Sequence, residues 1–452
     1  MNKKLILYLL GIGILIVLLV LVFSSMNKNN QTNKIEVTVL YAEDDLVTVQ
    51  DSNNVIYVFK TDIVSVDVGE SIVLEYAGLL DNNKSIQDGE VISYEVTDEE
   101  TDQNGIPLSW KDDGIFSPYY VLAYNKLKEL TLDEKIGQLL LVRYSESAKA
   151  ALDKYNFSGF VFFEKDFFGK TKEQVINMIE ELQNSSKIPL LTAVDEEGGK
   201  VVRVSSNSNL RSEPFKSSQE LYEKGGFDLI SSDTKEKSEL LKSLGLNLNL
   251  APVVDVSTDS NDYMYSRTIG ENTSITSEYA KTVIEASKNT GVSYTLKHFP
   301  GYGSNSDTHI GTSIDTRTLD DIMNNDIPPF ESGIEAGAEA VLVSHNIVTS
   351  LDPDNPASLS SNVHNLLRNQ LDFTGVVITD DIAMSALDSI EDTTVKALVA
   401  GNDLVITTDY ETSFNEVKDA IEDGTLGENY IDKLAFRVLA WKYYKGLMID
   451  TK

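Results

Sequence analysis

The chain has 452 residues, more than one ordinary hydrophobic core holds, so its length predicts two or three domains. It contains no cysteine, which excludes disulfide bonds and thiolate metal sites. Its 71 acidic residues outnumber its 38 lysines and arginines. The resulting net charge of -33 argues against binding to nucleic acid or to anionic lipid headgroups, so we expect no nucleic-acid partner.

The N-terminal segment has the pattern of a membrane anchor. The basic pair Lys3-Lys4 precedes residues 5–23, a run of nineteen residues without a charge. At a helical rise of about 1.5 Å per residue this run spans roughly 28 Å, enough to cross the core of a bilayer. The lysines favour a cytoplasmic N-terminus, so residues 1–24 are predicted to be a single-pass anchor in the cell membrane with the catalytic domain extracytoplasmic. A cleaved signal peptide, which would give a secreted protein, is the alternative, although Ser24-Ser25-Met26 is a poor cleavage site.

The segment after the anchor divides into a tether, a small β domain and a linker. Residues 25–34 are polar and lack periodicity, which predicts a tether. Residues 35–98 change to short alternating runs separated by turn-forming segments, which is typical of a small β-barrel-like domain. Five strands are expected, at residues 35–39, 46–49, 55–59, 71–76 and 91–96. Residues 99–116 are acidic and contain two glycines and a proline, so we expect a linker there.

The C-terminal region, residues 117–452, alternates helical patterns with apolar runs. Its first helix is expected to begin at Thr131, whose hydroxyl can cap it while Glu134 reaches back, and to continue through Leu139 and Leu140. Apolar strand candidates follow at residues 159–163, 189–194, 248–254, 292–296, 340–343, 376–379 and 404–406. Continuous apolar strands separated by helices indicate a parallel sheet buried on both faces. Seven or eight such units predict an α/β fold of the (β/α)8 TIM type, with a doubly wound open sheet as the alternative.

Nearly every candidate strand is followed by polar or charged residues. These are Asp195, Asp255, Lys297 with His298, Ser344 with His345, and Asp380 with Asp381. One such position would be explained as a helix cap, but five together are better explained by a polar pocket. In a parallel barrel these strand ends converge on one face, which is where catalytic residues lie.

Residues 297–309 carry two of the four histidines of the chain, His298 and His309. A proline and two glycines interrupt regular structure there, so a strand is expected to open into a loop. His309 lies two positions after Asp307, which could orient its ring and stabilise its protonated form. The pair therefore has the groups of a general acid/base that works near neutral pH. His364, by contrast, falls in a helical pattern and is expected at the surface.

The segment 297–309 resembles the Lys-His-Phe-Pro-Gly-His-Gly…Asp-Ser-His motif of glycoside hydrolase family 3, in its β-N-acetylglucosaminidase branch. Tyr302 and Thr308 replace a histidine and a serine of that motif, and the loop is one residue shorter. Four further blocks resemble the family in the same order, at residues 195–203, 250–256, 266–270 and 375–384. The resemblance covers most of residues 127–445.

The resemblance implies an exo-acting, retaining β-N-acetylhexosaminidase that releases terminal N-acetylglucosamine from murein fragments or chito-oligosaccharides. Asp380 matches the nucleophile, and a carboxylate at the end of a barrel strand is well placed to form a glycosyl-enzyme intermediate. His309 is the proposed general acid/base, assisted by Asp307. Five charged residues are expected to bind the hydroxyls of the sugar. These are Asp195, Arg203, Arg267, Lys297 and His298.

Two alternative functions stay open on the sequence. A phosphorylase is the closest, since a neutral histidine base would repel incoming phosphate less than a carboxylate would. A membrane-tethered glycan-binding protein without turnover is the other, and the presence of Asp380, Asp307 and His309 counts against it. No spacing of histidines and acids matches a metal motif, so we expect neither a metal nor a cofactor. The expected partners are a carbohydrate and, through the N-terminal helix, the membrane, and the sequence leaves the oligomeric state open.

Overall fold

The computed structural model describes residues 32–449, apart from residue 44, residues 62–67, residue 83, residues 304–310 and residue 312. The predicted anchor, residues 1–24, lies outside the described residues, as do Asp307 and His309. None of the helices in the described part of the chain is long and apolar enough to cross a membrane.

The first five strands form an antiparallel sheet in the order β3-β2-β1-β4-β5. Their bounds are β1 Thr32–Glu43, β2 Leu46–Asp51, β3 Ile56–Lys60, β4 Ser71–Ala77 and β5 Glu90–Thr97. The period-two alternation of the sequence forms this sheet, because Val39, Val49 and Ile72 then share one buried core. All five expected strands are present, but β1 begins at Thr32, so residues 32–34 of the predicted tether belong to the sheet.

Eight parallel strands form a second sheet in the order β14-β12-β10-β9-β8-β7-β6-β15. Their bounds are β6 Leu140–Arg143, β7 Gly159–Phe162, β8 Leu191–Val194, β9 Leu248–Asn249, β10 Ser293–Phe299, β12 Ala340–Val343, β14 Val376–Thr379 and β15 Val405–Thr407. Two short strands, β11 Ile314–Asp315 and β13 Ile347–Val348, pair with each other separately. The eight-stranded sheet closes where Ile378 of β14 bridges to Leu404, directly before β15. The TIM-type barrel is therefore confirmed, and the doubly wound alternative is wrong.

Helices connect the barrel strands and continue to the C-terminal end of the described residues. Their bounds are α1 Tyr120–Leu127, α2 Leu132–Gly137, α3 Glu146–Ala150, α4 Leu152–Tyr155, α5 Glu164–Phe167, α6 Lys172–Ser185, α7 Ser218–Ser243, α8 Thr273–Ser287, α9 Leu319–Asn325, α10 Ile327–Glu335, α11 Ser361–Asn365, α12 Thr393–Ala400, α13 Tyr410–Glu422 and α14 Glu428–Tyr444. The predicted cap of α2 is confirmed: the Thr131 N–H donates to Glu134 Oε2 at 2.9 Å and the Glu134 N–H donates to Thr131 Oγ1 at 3.3 Å.

The start of the barrel differs from the sequence-based expectation. The apolar pattern predicts that Leu139 and Leu140 continue the helix capped by Thr131, but α2 ends at Gly137 and β6 begins at Leu140. A Cβ on Gly137 would lie 1.8 Å from the carbonyl oxygen of Tyr155, so only glycine allows the chain to pass this close. The connection from α2 to β6 contains no proline, and its apolar run therefore reads as helix.

The small sheet packs against the barrel near the end at which the barrel strands start. Main-chain hydrogen bonds join the Ala42 N–H to Thr425 O at 3.1 Å and the Gly427 N–H to Leu40 O at 3.3 Å. Thr425 and Gly427 follow α13, which returns from the carboxyl end of β15 to the opposite end of the barrel. The small sheet and the carboxyl ends of the barrel strands therefore lie at opposite ends of the barrel.

The side chain of Asn365 joins the small sheet to α11. Its Oδ1 accepts the Ile56 N–H at 2.9 Å, and its Nδ2 donates to Ile56 O at 2.8 Å, so both main-chain groups of a buried strand residue are satisfied. The neighbouring His364 is only 1% exposed, with Nδ1 2.7 Å from Ser360 O. The expectation that His364 lies at the surface is therefore wrong, because α11 packs against both β3 and α12.

Candidate active site

Four of the predicted site residues lie at the carboxyl end of the barrel. Asp195 follows β8, Lys297 and His298 belong to the end of β10, and Asp380 follows β14. Because the strands are parallel and the sheet is closed, these strand ends share one face. The Lys297–His298 and Phe299–Pro300 peptide bonds are both cis.

Lys297 is the centre of a buried ion-pair network. Its Nζ lies 2.7 Å from Asp195 Oδ1 and 2.8 Å from Glu197 Oε1. Arg267 donates two hydrogen bonds to the same Glu197, from Nη2 to Oε1 at 2.6 Å and from Nε to Oε2 at 3.0 Å. Burial by itself would raise the pKa of Glu197, but the charges of Lys297 and Arg267 outweigh it and hold that pKa well below its usual range. Glu197 is therefore ionised, and it fixes two of the residues predicted to bind sugar.

His298 is oriented by Asp255, which the strand-end pattern indicates but which is absent from the predicted binding set. Nδ1 of His298 lies 2.7 Å from Asp255 Oδ2, and Oδ1 of the same carboxylate accepts the Tyr302 N–H at 2.7 Å. On the other side, His298 Nε2 lies 3.5 Å from Nη2 of Arg267. The Asp255 carboxylate accepts, so Nδ1 of His298 carries the hydrogen that it binds. The ring of Tyr302 stands edge-on to His298, with the centroids 5.7 Å apart.

Asp380 combines a partly buried position with an ionised carboxylate. Its Oδ1 accepts the Asp381 N–H at 2.9 Å. Burial acts to raise the pKa of Asp380, but the nearby His345, His298 and Lys297 together hold that pKa below its usual value. A carboxylate that stays charged in a pocket is what a nucleophile at an anomeric carbon requires.

Asp381 and His345 support the main chain beside Asp380. The carboxylate of Asp381 accepts hydrogen bonds from the Ala383 N–H at 3.0 Å and from Thr408 Oγ1 at 3.0 Å. Burial, and then the charge of Asp380, raises the pKa of Asp381. His345 is fully buried, and its Nε2 lies 3.1 Å from the carbonyl oxygen of Asp381, so that nitrogen is the donor.

Arg203 is positioned by a buried residue that the sequence reasoning missed. Glu196 is 0% exposed and accepts the N–H groups of Arg203 at 2.8 Å and of Val204 at 2.7 Å, together with hydrogen bonds from Ser205. The guanidinium of Arg203 lies over the ring of Phe163, 5.6 Å from its centroid. Glu196 and Glu197 both follow Asp195 in the same motif, and this adjacency is the sequence feature that could have indicated a role for them in the site.

The predicted acid/base pair, Asp307 and His309, lies outside the described residues, so its placement relative to Asp380 stays a prediction. Within the described residues, no group of three or more histidines, aspartates and glutamates is arranged to hold a metal ion.

Known proteins resemble the chain in sequence and in fold. The model of the Glycosyl hydrolase family 3 N terminal domain matches residues 131–441, well over half of the chain. A Beta-hexosaminidase of Stenotrophomonas maltophilia (strain K279a) is 31% identical over 305 residues, covering 65% of this chain and 88% of the relative. A Beta-hexosaminidase of Xylella fastidiosa (strain M23) is 32% identical over 235 residues, covering 51% of this chain and 69% of the relative.

A solved structure has the same architecture. It is the family 3 beta-N-acetylglucosaminidase from Paenibacillus sp. str. FPU-7, with a TM-score of 0.67 and 27% sequence identity. The match covers 72% of this chain and 64% of that one. With the closed barrel and the charged residues at its carboxyl end, these likenesses identify the chain as a member of glycoside hydrolase family 3 and a glycoside hydrolase of the β-hexosaminidase type.

Proposed function

We propose that the protein is an exo-acting, retaining β-N-acetylhexosaminidase that releases terminal N-acetylglucosamine from murein fragments or chito-oligosaccharides. The observation that carries the proposal is the ionised Asp380 carboxylate, which shares one end of the barrel with the Lys297, Glu197 and Arg267 network. The Asp380 carboxylate supplies a nucleophile, and the ion-pair network supplies a rigid set of donors and acceptors for sugar hydroxyls.

The proposed reaction has two displacement steps. In the first, an oxygen of Asp380 bonds to the anomeric carbon as the bond to the departing oxygen breaks, and His309 gives its proton to that oxygen. In the second, His309 takes a proton from water, the water oxygen bonds to the anomeric carbon, and Asp380 leaves as a carboxylate. Asp307 orients His309 in both steps. Two inversions give net retention, so proton NMR of the first-formed sugar should show the β anomer.

Five charged residues are proposed to bind the sugar. Asp195 and the His298–Asp255 pair supply an oriented acceptor and an oriented imidazole, while Lys297 and Arg267 supply charged donors. Burial acts to lower the pKa of Lys297, but Asp195 and Glu197 raise it overall, so the ammonium keeps its charge. Arg203 completes the proposed set.

The assay is release of p-nitrophenol from its β-N-acetylglucosaminide, with and without inorganic phosphate. We expect free N-acetylglucosamine as the product in both conditions. Formation of the sugar 1-phosphate would instead support the phosphorylase alternative.

The variant Asp380→Ala should abolish turnover of this activated glycoside while keeping the fold, because it removes the proposed nucleophile. The control is Asp409→Ser, at a carboxylate that follows the neighbouring β15 but caps α13 through the Thr412 N–H at 3.2 Å. Serine can keep this cap, so Asp409→Ser should retain activity. Wild-type rates in Asp380→Ala would mean that another carboxylate is the nucleophile.

We also propose that residues 1–24 anchor the protein in the cell membrane, with residues 25–31 as a tether and the barrel extracytoplasmic. The uncharged run 5–23 and the preceding lysines support this arrangement. The intact mass of the membrane-extracted protein tests it, because a mass that lacks the first 24 residues would show a cleaved signal and a secreted protein.

A further inference from the structure

Two arginines at the carboxyl end of the barrel form no ion pair with any acidic residue that the structure describes. The chain has seven arginines, all of them among the described residues. Five form ion pairs with carboxylates: Arg211, Arg267, Arg317, Arg368 and Arg437. Arg143 and Arg203 form no ion pair with any described residue, although the chain has 71 acidic residues. The Nε atoms of both are buried and have no hydrogen-bond partner among the described residues.

The two unpaired guanidiniums lie against the same aromatic ring. The Cζ atom of Arg143 is 4.2 Å from the centroid of Phe163, and the Cζ atom of Arg203 is 5.6 Å from it. Arg143 is the last residue of β6, Phe163 follows β7, and Arg203 lies in the loop after β8. These three strands are neighbours in the barrel, so both arginines lie at the same end as Asp195 and Asp380.

Two acids of the adjoining segments, Glu196 and Asp166, accept main-chain hydrogen bonds. Glu196 accepts the main-chain N–H groups of the 203–205 segment, and Asp166 accepts the Phe163 N–H at 2.8 Å. Neither carboxylate forms an ion pair with Arg143 or Arg203. Asp166 is near enough for the charge of Arg143 to act to lower its pKa, yet neither guanidinium lies within ion-pair distance of a carboxylate among the described residues.

We propose that Arg143 and Arg203 form a subsite for an anionic substituent of the glycan, a carboxylate or a phosphate. The planar guanidinium matches both groups with two parallel N–H donors, and the Phe163 ring holds the two forks in place. The anion can be carried by the sugar that is cleaved or by the part that departs. This inference rests on the proposed glycosidase function and adds a preference for charged over neutral glycans.

The test compares neutral and anionic ligands of matched size. For the cleaved sugar, N-acetylglucosamine and its 6-phosphate are compared as competitive inhibitors of p-nitrophenyl β-N-acetylglucosaminide hydrolysis. For the departing part, kcat/KM is compared for chitobiose and for the disaccharide of N-acetylglucosamine linked to N-acetylmuramic acid. The wild type should prefer the anionic member of at least one pair by about 10- to 100-fold, as charge-assisted hydrogen bonds imply. The pair that shows the preference tells which part of the glycan carries the anion.

In the variant Arg143→Gln, the anionic and the neutral ligand should have nearly the same inhibition constant or kcat/KM, so that their ratio is close to one. The control is Arg211→Gln, which removes a guanidinium 4.1 Å from the ring of Phe215 that is already paired with Glu236, and it should leave the ratio unchanged. In the wild type, raising the salt concentration should weaken the preference, a measurement that needs no variant. The subsite would be overturned if the wild type showed equal inhibition constants and equal kcat/KM values for the anionic and neutral ligands. An unchanged ratio of these values in Arg143→Gln would also overturn it. Failure of the wild type to cleave any neutral N-acetylglucosaminide would instead overturn the proposed function.

Discussion

Replacing His309 by alanine should separate the two chemical steps. An acid is needed in the first step only when the departing oxygen is too basic to leave unaided, so an activated phenol should still form the intermediate. The second step lacks its base, so turnover should stall after a burst of phenol. General acid/base catalysis contributes about 10²–10⁴-fold, a loss large enough to measure by stopped-flow release of p-nitrophenol.

Azide provides the control for this variant. It is a small anionic nucleophile that needs no deprotonation, so it should restore turnover of His309→Ala and leave the wild type nearly unchanged. Equal losses for good and poor leaving groups, without a burst or azide rescue, would remove His309 from the acid/base role.

Glu197 gives a prediction for the dependence of stability on pH. Glu197→Gln should lower the free energy of unfolding at pH 7 by about 3 kcal/mol, because it leaves the buried Lys297 and Arg267 without a shared anion. Glu197 has a depressed pKa in the folded protein, so its contribution is complete above the ordinary value of 4.5 and fades as the pH falls below it. Urea unfolding of both proteins at several pH values should show the difference shrinking in acid.

The matched control is Glu236→Gln, at the exposed partner of Arg211. Exposed ion pairs contribute at most about 1 kcal/mol, so the control should have a small effect. A loss in Glu197→Gln no larger than in the control, or one that grows in acid, would contradict this account of the network.

At the scale of single residues, the sequence indicates the strand-end groups far better than their partners. Asp195 and Asp380 follow apolar runs and can be found by reading along the chain. Glu197 and Arg143 could not be assigned a role in this way, because their significance depends on contacts with residues distant in the sequence. Arg143 is the last residue of β6, a strand whose first residue, Leu140, the sequence pattern assigns to a helix.

At the scale of elements, apolar runs predict the strands well where a turn-forming segment precedes them. Strands β12 and β14 have the predicted bounds, since each follows a glycine-containing connection. Strand β9 contains only two residues of the longer apolar run 248–254, and beyond it Val253 pairs separately with Lys297. Local patterns indicate that an apolar segment is buried, whereas its pairing is set by the barrel.

The contact between β3 and α11 should be sensitive to one side chain. Asn365→Ala leaves the buried N–H and C=O of Ile56 without partners, which should lower the free energy of unfolding by about 2–4 kcal/mol. Ser361→Ala, on the same helix, should have little effect. Urea unfolding measures both, and equal stabilities of the two variants would show that this pair of hydrogen bonds does not hold the sheet to the barrel.

At the scale of the whole molecule, the small sheet and the barrel share a buried contact that composition does not predict. The sequence separates them by an acidic linker, which suggests independent domains. In the structure, Lys433 of α14 donates from Nζ to Gln50 Oε1 at 2.7 Å, and burial lowers the pKa of Lys433 to about 7. Contacts of this kind join residues far apart in the chain, so no local sequence pattern predicts them.

Removing residues 1–31 should give a soluble and active enzyme, because the strands of both sheets are formed by residues that follow the proposed anchor and tether. Removing residues 1–34 should cost stability, because it deletes the pairing of Thr32 with Ala77 and of Asn33 with Tyr76. Activity and thermal unfolding of the two truncated proteins test this. A folded but inactive 1–31 deletion would give the N-terminal segment a role in catalysis, and equal thermal stability would show that the start of β1 contributes nothing.

Strand β1 spans the distance between the end of the proposed tether and the contact with the barrel. Thr32 lies eight residues before Leu40, the main-chain partner of Gly427, a separation of about 26 Å at a rise of roughly 3.3 Å per residue. If the anchor lies in the lipid as proposed, the small sheet stands between the tether and the barrel, and the carboxyl ends of the barrel strands would face away from the membrane. The site would then meet glycan ends that lie away from the membrane surface more readily than ends close to it.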